Sequence, residues 1–266
     1  MQRCDHWIVP EWAAPSGVNA VCSTRAGGFS RPPFDSLNLG DHVRDEPAHV
    51  RANRERLGER LAPNRPVFLQ QVHGTAVVRL DRTTADGTQA DGCVTMAGSG
   101  AAATIMVADC LPVLFALASG EAVAAAHAGW RGLANGVLEN TVKALRRGTG
   151  ASSNQVPVVA WLGPCIGPAA FEVGAEVRAA FLVQCSQASR AATENCFVPT
   201  SAGKYRADLP ALARLRLLAI GVTAVGGNDG SPAWCTFSQS SVFFSHRRDA
   251  ARLGSTGRMA ASVWIA

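Results

Sequence analysis

The chain has 266 residues, of which 47% are hydrophobic and 17% charged, and a formal net charge of +5. It is long enough for a substantial core and has no polar low-complexity tract, which excludes a disordered or fibrous protein. Its 25 Lys and Arg are scattered singly or in short pairs instead of forming a cationic run, which favours small anionic ligands over nucleic acid.

The opening stretch "MQRCDHWIVPEW" carries Asp5, His6 and Pro10 where a secretory signal needs an apolar stretch, so a cytoplasmic protein is expected. The segment "TRAGGFSRPPFDSLNLGD" interleaves turn residues with Phe29, Phe34, Leu37 and Leu39 and reads as a long ordered loop able to line a site. In "EPAHVRANRERLGERL", Val50, Leu57 and Leu61 recur at helical spacing behind Pro47, which predicts an amphipathic helix. "RPVFLQQVHGTAVVRL" predicts two short strands around His73 and Gly74, and "ADGCVT" leads into another.

From residue 104 the pattern changes to continuous apolar runs, "TIMVA", "PVLFAL" and "AVAAAHAG", the signature of strands covered on both faces. Residues 101–118 approach the length of a membrane span, but Asp109 and Pro112 lie in the middle, so no membrane segment is expected. "WRGLANGVLENTVKALRRG" places Leu133, Val137, Thr141 and Leu145 on one helix face, with Gly148 as a stop, and predicts a strand-to-helix crossover. "VPVVAWLGPCIGP" reads as a strand ending in a Gly/Pro loop. "EVGAEVRAAFL" reads as a helix with Val173, Val177 and Phe181 inward. "DLPALARLRLLAIG" predicts another helix and "MAASVWIA" a terminal strand. No linker divides the chain, so one domain over residues 1–266 and a self-sufficient monomer are expected.

Eight cysteines (Cys4, Cys22, Cys93, Cys110, Cys165, Cys185, Cys196 and Cys235) form no C-x-x-C pair, and reduced thiols are expected. Three side chains with metal-ligand chemistry fall at predicted strand ends: His73 in "QVHG", Cys110 in "ADC" and His127 in "AHAGW". Their spacings, 37 and 17 residues, fit no zinc finger, whereas three ligands with an open fourth position suit a catalytic zinc, and a His2Cys set also suits copper. The same atoms permit a metal-free Cys-His amidase with Cys110 as nucleophile and His127 as base. In a regular strand Asp109 faces away from Cys110, which makes it a candidate partner for an imidazole N–H, or else a cap or Arg partner. The Gly-rich turns "AGWRG" and "GPCIGPAAFEVG" offer backbone N–H groups to an oxyanion. Arg25, Arg131, Arg247 and Arg248 are candidate phosphate contacts. One Tyr, four Met and no recurring His-x-His pairs argue against an intrinsic multi-copper redox apparatus.

In order, "TRAGGFSRPPFDSLNLG", "QVHG", "ADG", "ADCLPVLF", "AAHAGWRGL", "GPCIGPAAFEVG" and "FFSHRRD…GRMA" resemble the laccase-domain family, also called the polyphenol oxidoreductase or purine nucleoside phosphorylase family. The resemblance runs from about residue 20 to the C-terminus. It implies an α+β fold, a four-layer α/β/β/α sandwich with mixed β-sheets. It also implies a single zinc held by His73, Cys110 and His127, and phosphorolysis of adenosine, inosine and S-methyl-5'-thioadenosine with deamination of adenosine. Copper-dependent polyphenol oxidation and the editing of peptidoglycan precursors are described for some members. For deamination the metal would activate water against purine C6, with Asp109 as a proton carrier. For phosphorolysis, Arg and backbone donors would hold phosphate against the anomeric carbon. The sequence departs from the family pattern at His246 and Phe171, where Tyr is expected.

Overall fold

The computed structural model describes residues 2–4, 6–147, 156–201 and 203–266. The chain opens with β1 (Gln2–Cys4), β2 (Trp7–Val9) and β3 (Val18–Ser23), and after a long loop comes α1 (Pro47–Leu61). β4 (Arg65–Phe68), β5 (Val77–Arg79) and β6 (Gly92–Met96) lead to β7 (Ala101–Val107), β8 (Leu111–Leu117) and β9 (Ala122–Ala128). α2 (Trp130–Asn135) and α3 (Val137–Arg147) precede β10 (Val158–Leu162), β11 (Glu172–Val173), α4 (Ala175–Gln184) and α5 (Arg190–Asn195). β12 (Phe197–Pro199), β13 (Tyr205–Ala207), α6 (Leu209–Ala219), β14 (Ala224–Gly227), α7 (His246–Leu253) and β15 (Met259–Ile265) complete the order.

Two six-stranded sheets, β1-β2-β3-β15-β7-β4 and β14-β10-β8-β9-β6-β5, carry the fold, with a small sheet β11-β13-β12 beside them. Both large sheets are mixed, because β4–β7 in the first and β5–β6 and β10–β14 in the second are parallel pairs. Strand alternation sorts the apolar runs into layers. Ala103, Ile105 and Val107 of β7 meet Leu114 and Ala116 of β8 between the sheets. Val113, Phe115 and Leu117 point the other way, toward Val137, Val142 and Leu145 of α3. Ala102 and Met106 face Leu57 and Leu61 of α1. The result is the expected α/β/β/α sandwich, and it explains why the central strands lack a polar face.

The crossover is present: β9 and β10 are both antiparallel to β8, and the chain between them contains α2 and α3. The single helix expected there is two, because Gly136 at φ 99° closes α2 and its N–H returns to the Gly132 and Leu133 carbonyls. The expected stop at Gly148 lies outside the described residues. Val173 is buried as expected but belongs to β11, the strand before α4. Among the described residues no helix is long and apolar enough to cross a membrane. The apolar stretch that resembled a span is split between β7 and β8.

The loop from Thr24 to Asp41 is ordered by a residue of α1. Asn53, fully buried, accepts a hydrogen bond from the Phe29 N–H (2.8 Å) and donates to Ser30 Oγ and to the Ser36 and Asn38 carbonyls. The loop is ordered as expected, with Phe34, Leu37 and Leu39 buried and Phe29 exposed.

Candidate functional site

β7 ends in the first large sheet and β8 begins in the second, so Ala108–Cys110 is where the chain crosses between sheets. Asp109 makes the corner at φ 91°, a left-handed conformation that costs a non-glycine residue about 1–3 kcal/mol. Three hydrogen bonds hold it. The Thr236 hydroxyl donates to Asp109 Oδ1 (2.6 Å), the Arg247 backbone N–H to Oδ2 (2.6 Å), and the Ile166 N–H to the Asp109 carbonyl (2.9 Å). The strand is therefore not regular here. Asp109 is not the imidazole partner considered from the sequence; its carboxylate is bound to the first turn of α7 and to Thr236. Cys110 emerges against the layer between the sheets.

His127, near the end of β9, pairs with Pro112 of β8 and points into the same layer by alternation. Its Nδ1 lies 2.8 Å from Asp91 Oδ1. A carboxylate only accepts, so Nδ1 carries a proton, which leaves Nε2 as the nitrogen that a metal would take up in place of its proton. His73 comes from the other sheet, in the turn after β4, at φ 60°. Its Nε2 is 3.6 Å from Cys110 Sγ, and its ring centroid is 4.8 Å from that of His127. Asp91 also builds this turn: it accepts the backbone N–H groups of Val72 (3.2 Å), His73 (2.9 Å) and Gly74 (2.7 Å). One carboxylate thus fixes the tautomer of His127 and the backbone that presents His73.

One ligand atom from each of His73, Cys110 and His127 lies within 4.8 Å of the other two, the one such group among the described residues. Burial alone would raise the Cys110 thiol, but the His127 and His73 rings outweigh it and pull the thiol down to about 6. Burial likewise opposes charge on His127, and Cys110 with Asp91 pushes it up to about 9. A thiolate beside two imidazoles, one held by a carboxylate through its far nitrogen, is the donor set of a three-ligand zinc site, and the residues fit the metal. Gly129 leaves room for it: a Cβ there would stand 2.7 Å from His73 Cδ2 and 3.0 Å from Cys110 Sγ.

These three residues and Asp109 line a cavity of about 680 Å³, within the range of small-molecule sites. Apolar walls come from Phe68, Val72, Met106, Ile166 and Phe171, and His42, Arg54, Arg247 and Arg258 add polar or cationic groups. Of the four Arg expected from the sequence, only Arg247 lines it. Arg25 instead clamps its own loop: it donates to the Asp35 and Ser240 carbonyls (2.9 Å each) and lies over the Phe244 ring. Arg131 is exposed and stacks on Trp130. Arg248 spends its guanidinium on Asp249 and on the Thr236, Phe237 and Phe243 carbonyls. In the second Gly-rich turn, residues 163–174, the N–H groups of Gly163, Ile166, Gly167 and Phe171 are spent within the protein.

A sequence model of the family described as multi-copper polyphenol oxidoreductase laccase matches residues 19–266. The chain belongs to this family. A purine nucleoside phosphorylase of Pseudomonas aeruginosa is 50% identical over 97% of this chain and 98% of its own length, and one of Escherichia coli is 46% identical over the same shares. Among solved structures, a Neisseria meningitidis protein superposes with a TM-score of 0.86 at 42% identity, covering 98% of this chain and 99% of its own. A Geobacillus stearothermophilus protein gives 0.86 at 32% identity over 100% and 98%.

In this member of the laccase family, two residues at the site were missed from sequence. Asp91 lies in the quoted "ADG", but Asp before Gly reads as a turn, and only the pairing of β6 with β9 brings it beside His127. Arg258 lies in "GRMA", just before β15, where it reads as a strand lead-in. Burial draws its pKa down, against Cys110 and Asp109 close enough to push back. Phe171 and His246, the departures from the family pattern, both line the cavity.

Proposed function

We propose that the protein is a zinc-dependent purine nucleoside phosphorylase acting on adenosine, inosine and S-methyl-5'-thioadenosine, and that it also deaminates adenosine. Residues 1–266 act as one unit. The observation that carries this reading is the convergence of His73, Cys110 and His127 within 4.8 Å at the wall of a nucleoside-sized cavity, in a chain half identical to a protein named for that activity.

His73, Cys110 and His127 would hold the zinc, which would supply a Lewis acid at the cavity wall. Asp91 keeps the His127 Nδ1 proton in place, so that Nε2 stays a ligand. The apolar walls take up the purine and keep water scarce around it. Guanidinium groups neutralise phosphate as its oxygen bonds to the anomeric carbon and the C–N bond breaks, its electron pair going to the purine, which takes up a proton from solvent to leave as the neutral base. Asp109, whose carboxylate accepts from Thr236 and from the Arg247 N–H, positions this wall of the cavity, and each oxygen keeps a lone pair with which to carry a proton in deamination. A thiolate–imidazole donor set favours zinc over hard-cation chemistry, with copper as the alternative metal.

A second reading has its own observation: Cys110 Sγ within 3.6 Å of His73 Nε2 is also the contact of a metal-free Cys-His amidase. One experiment separates them. Purified protein is incubated with inosine, adenosine or S-methyl-5'-thioadenosine, with and without phosphate, before and after chelation. Free base and ribose 1-phosphate from inosine, and ammonia from adenosine, are expected, lost on chelation and restored by zinc. Activity that survives removal of the metal, or no product from metal-loaded protein, refutes the proposal.

A further inference from the structure

Phosphate needs a guanidinium that lines the cavity with nitrogens left to donate, and Arg54, Arg247 and Arg258 line it. Arg54 donates Nε to the Leu39 carbonyl (2.9 Å), pairs with Asp41 (3.2 Å) and lies 4.0 Å over the Phe68 ring. Arg247 is exposed at the mouth, with Nη1 donated to the Glu172 carbonyl (3.0 Å). Arg258 differs. Its Nη1 donates to the Thr256 and Gly257 carbonyls (2.9 and 3.2 Å), and among the described residues Nε and Nη2 have no hydrogen-bond partner. The guanidinium lines the cavity, half-buried and close to Asp109 and Cys110.

The loop "SLNLGDH" is built around this residue. Asn38, fully buried, accepts the Arg258 N–H (2.8 Å) and the Gly40 N–H (2.9 Å) through Oδ1, and donates Nδ2 to Asp45 (2.8 Å). The Leu39 N–H donates to the Arg258 carbonyl (3.0 Å). Gly40 lies against the stem of Arg258, where a Cβ would come within 2.7 Å of its Cγ. The loop thereby fixes the arginine's backbone and stem while His42, its next residue but one after Gly40, stands at the cavity mouth. A buried, fully satisfied asparagine thus ties the backbone of Arg258 to this loop and to Asp45.

We propose that Arg258 is the inner phosphate-binding residue of the cavity, presenting Nε and Nη2 to a tetrahedral oxyanion, with Arg247 closing the site from the mouth. The guanidinium fork suits two phosphate oxygens at once, and Arg25, Arg131 and Arg248 have no part in it. The inference rests on the phosphorolysis reading, and the test keeps the two apart.

Metal-loaded wild type, Arg258→Gln and Arg258→Lys are compared for binding of inorganic phosphate by calorimetry, for the KM of phosphate and of inosine in phosphorolysis, for metal content, and for melting temperature. Arg258→Gln is expected to weaken phosphate binding and raise its KM roughly tenfold or more, with a smaller change in the KM of inosine and one metal retained. Arg258→Lys keeps the charge and the stem beside Gly40; it carries the test if the glutamine variant does not fold, and is expected to lose affinity several-fold through loss of the fork. Phosphate loss in the variants supports the site even if wild type releases no ribose 1-phosphate, an outcome that would sink the phosphorolysis reading alone. Unchanged phosphate affinity and KM in folded variants overturns the inference while leaving phosphorolysis standing. A wild type that binds no phosphate overturns it too.

Discussion

Asp91→Asn separates the two tasks that one carboxylate performs. In the wild type Oδ1 accepts from the His73 N–H and His127 Nδ1, and Oδ2 from the Val72 and Gly74 N–H groups. An amide of the same shape keeps one acceptor and turns the other into a donor. If the amide oxygen stays on His127, the NH2 faces Val72 and Gly74, and two donors are stranded at about 1–3 kcal/mol each, roughly 2–6 kcal/mol in all. If the amide flips, its NH2 faces His127 and drives the imidazole to the other tautomer, so that Nε2 carries the proton and no longer ligates. The first outcome lowers the melting temperature by about 4 °C or more, at roughly 2 °C per kcal/mol for a chain of this size. The second lowers metal affinity about 10–100-fold. Melting of the metal-free protein reads the first, and zinc competition against a chromophoric chelator the second. A variant with metal affinity within about twofold of wild type and melting within about 1 °C would refute the assignment of Asp91.

Gly129→Ala leaves the backbone at an ordinary φ of −60° but puts a methyl 2.7 Å from His73 Cδ2. We expect zinc affinity to fall about tenfold or more with little change in helix content, measured by the same competition and by circular dichroism. Arg25→Ala removes the clamp on Asp35, Ser240 and Phe244 and should cost about 1–3 kcal/mol in denaturant unfolding, while the KM for phosphate stays unchanged; a raised KM would return Arg25 to the phosphate site. Burial pushes the Asp249 carboxyl up, but the Arg248 fork, the Ser245 N–H and the Thr256 hydroxyl outweigh it and hold it below the usual carboxylate range. A depressed group stabilises above its unfolded pKa, near 3.9, and loses that contribution as pH falls through the folded value. Asp249→Asn should therefore flatten stability against pH on the acid side, and an unchanged slope in urea titrations would contradict the pairing.

The layers were legible because burial leaves a pattern. Continuous runs such as "PVLFAL" announced strands with no polar face, and Val50, Leu57 and Leu61 announced the inner face of α1. Asn53 on that face was not legible, because an asparagine in a helix that is otherwise rich in Arg and Glu reads as solvated until the loop it binds is seen. The metal triad was visible as three ligating residues at strand ends. Which Arg lines the cavity was not, since Arg25, Arg248 and Arg258 differ in where the fold puts them and in what their guanidiniums hold, and both are tertiary facts. The corner at Asp109 was legible only as a junction between two strand segments: nothing in "TIMVADCLPVLF" says that its halves lie in different sheets.

That corner explains why an acid adjoins the thiol in so apolar a stretch. The chain must turn sharply inside the core, and glycine would make the turn without strain but would anchor nothing. Aspartate accepts the strain and uses its carboxylate to gather Thr236 and the first turn of α7, while its carbonyl gathers Ile166. Three distant segments are thus fixed to the residue before Cys110. The position of the sulfur, the mouth formed by His246 and Arg247, and the wall at Ile166 are consequently set together. Asp91 does the same on the opposite side for His73 and His127. Two buried carboxylates, neither of them a proposed ligand, hold the three side chains that are.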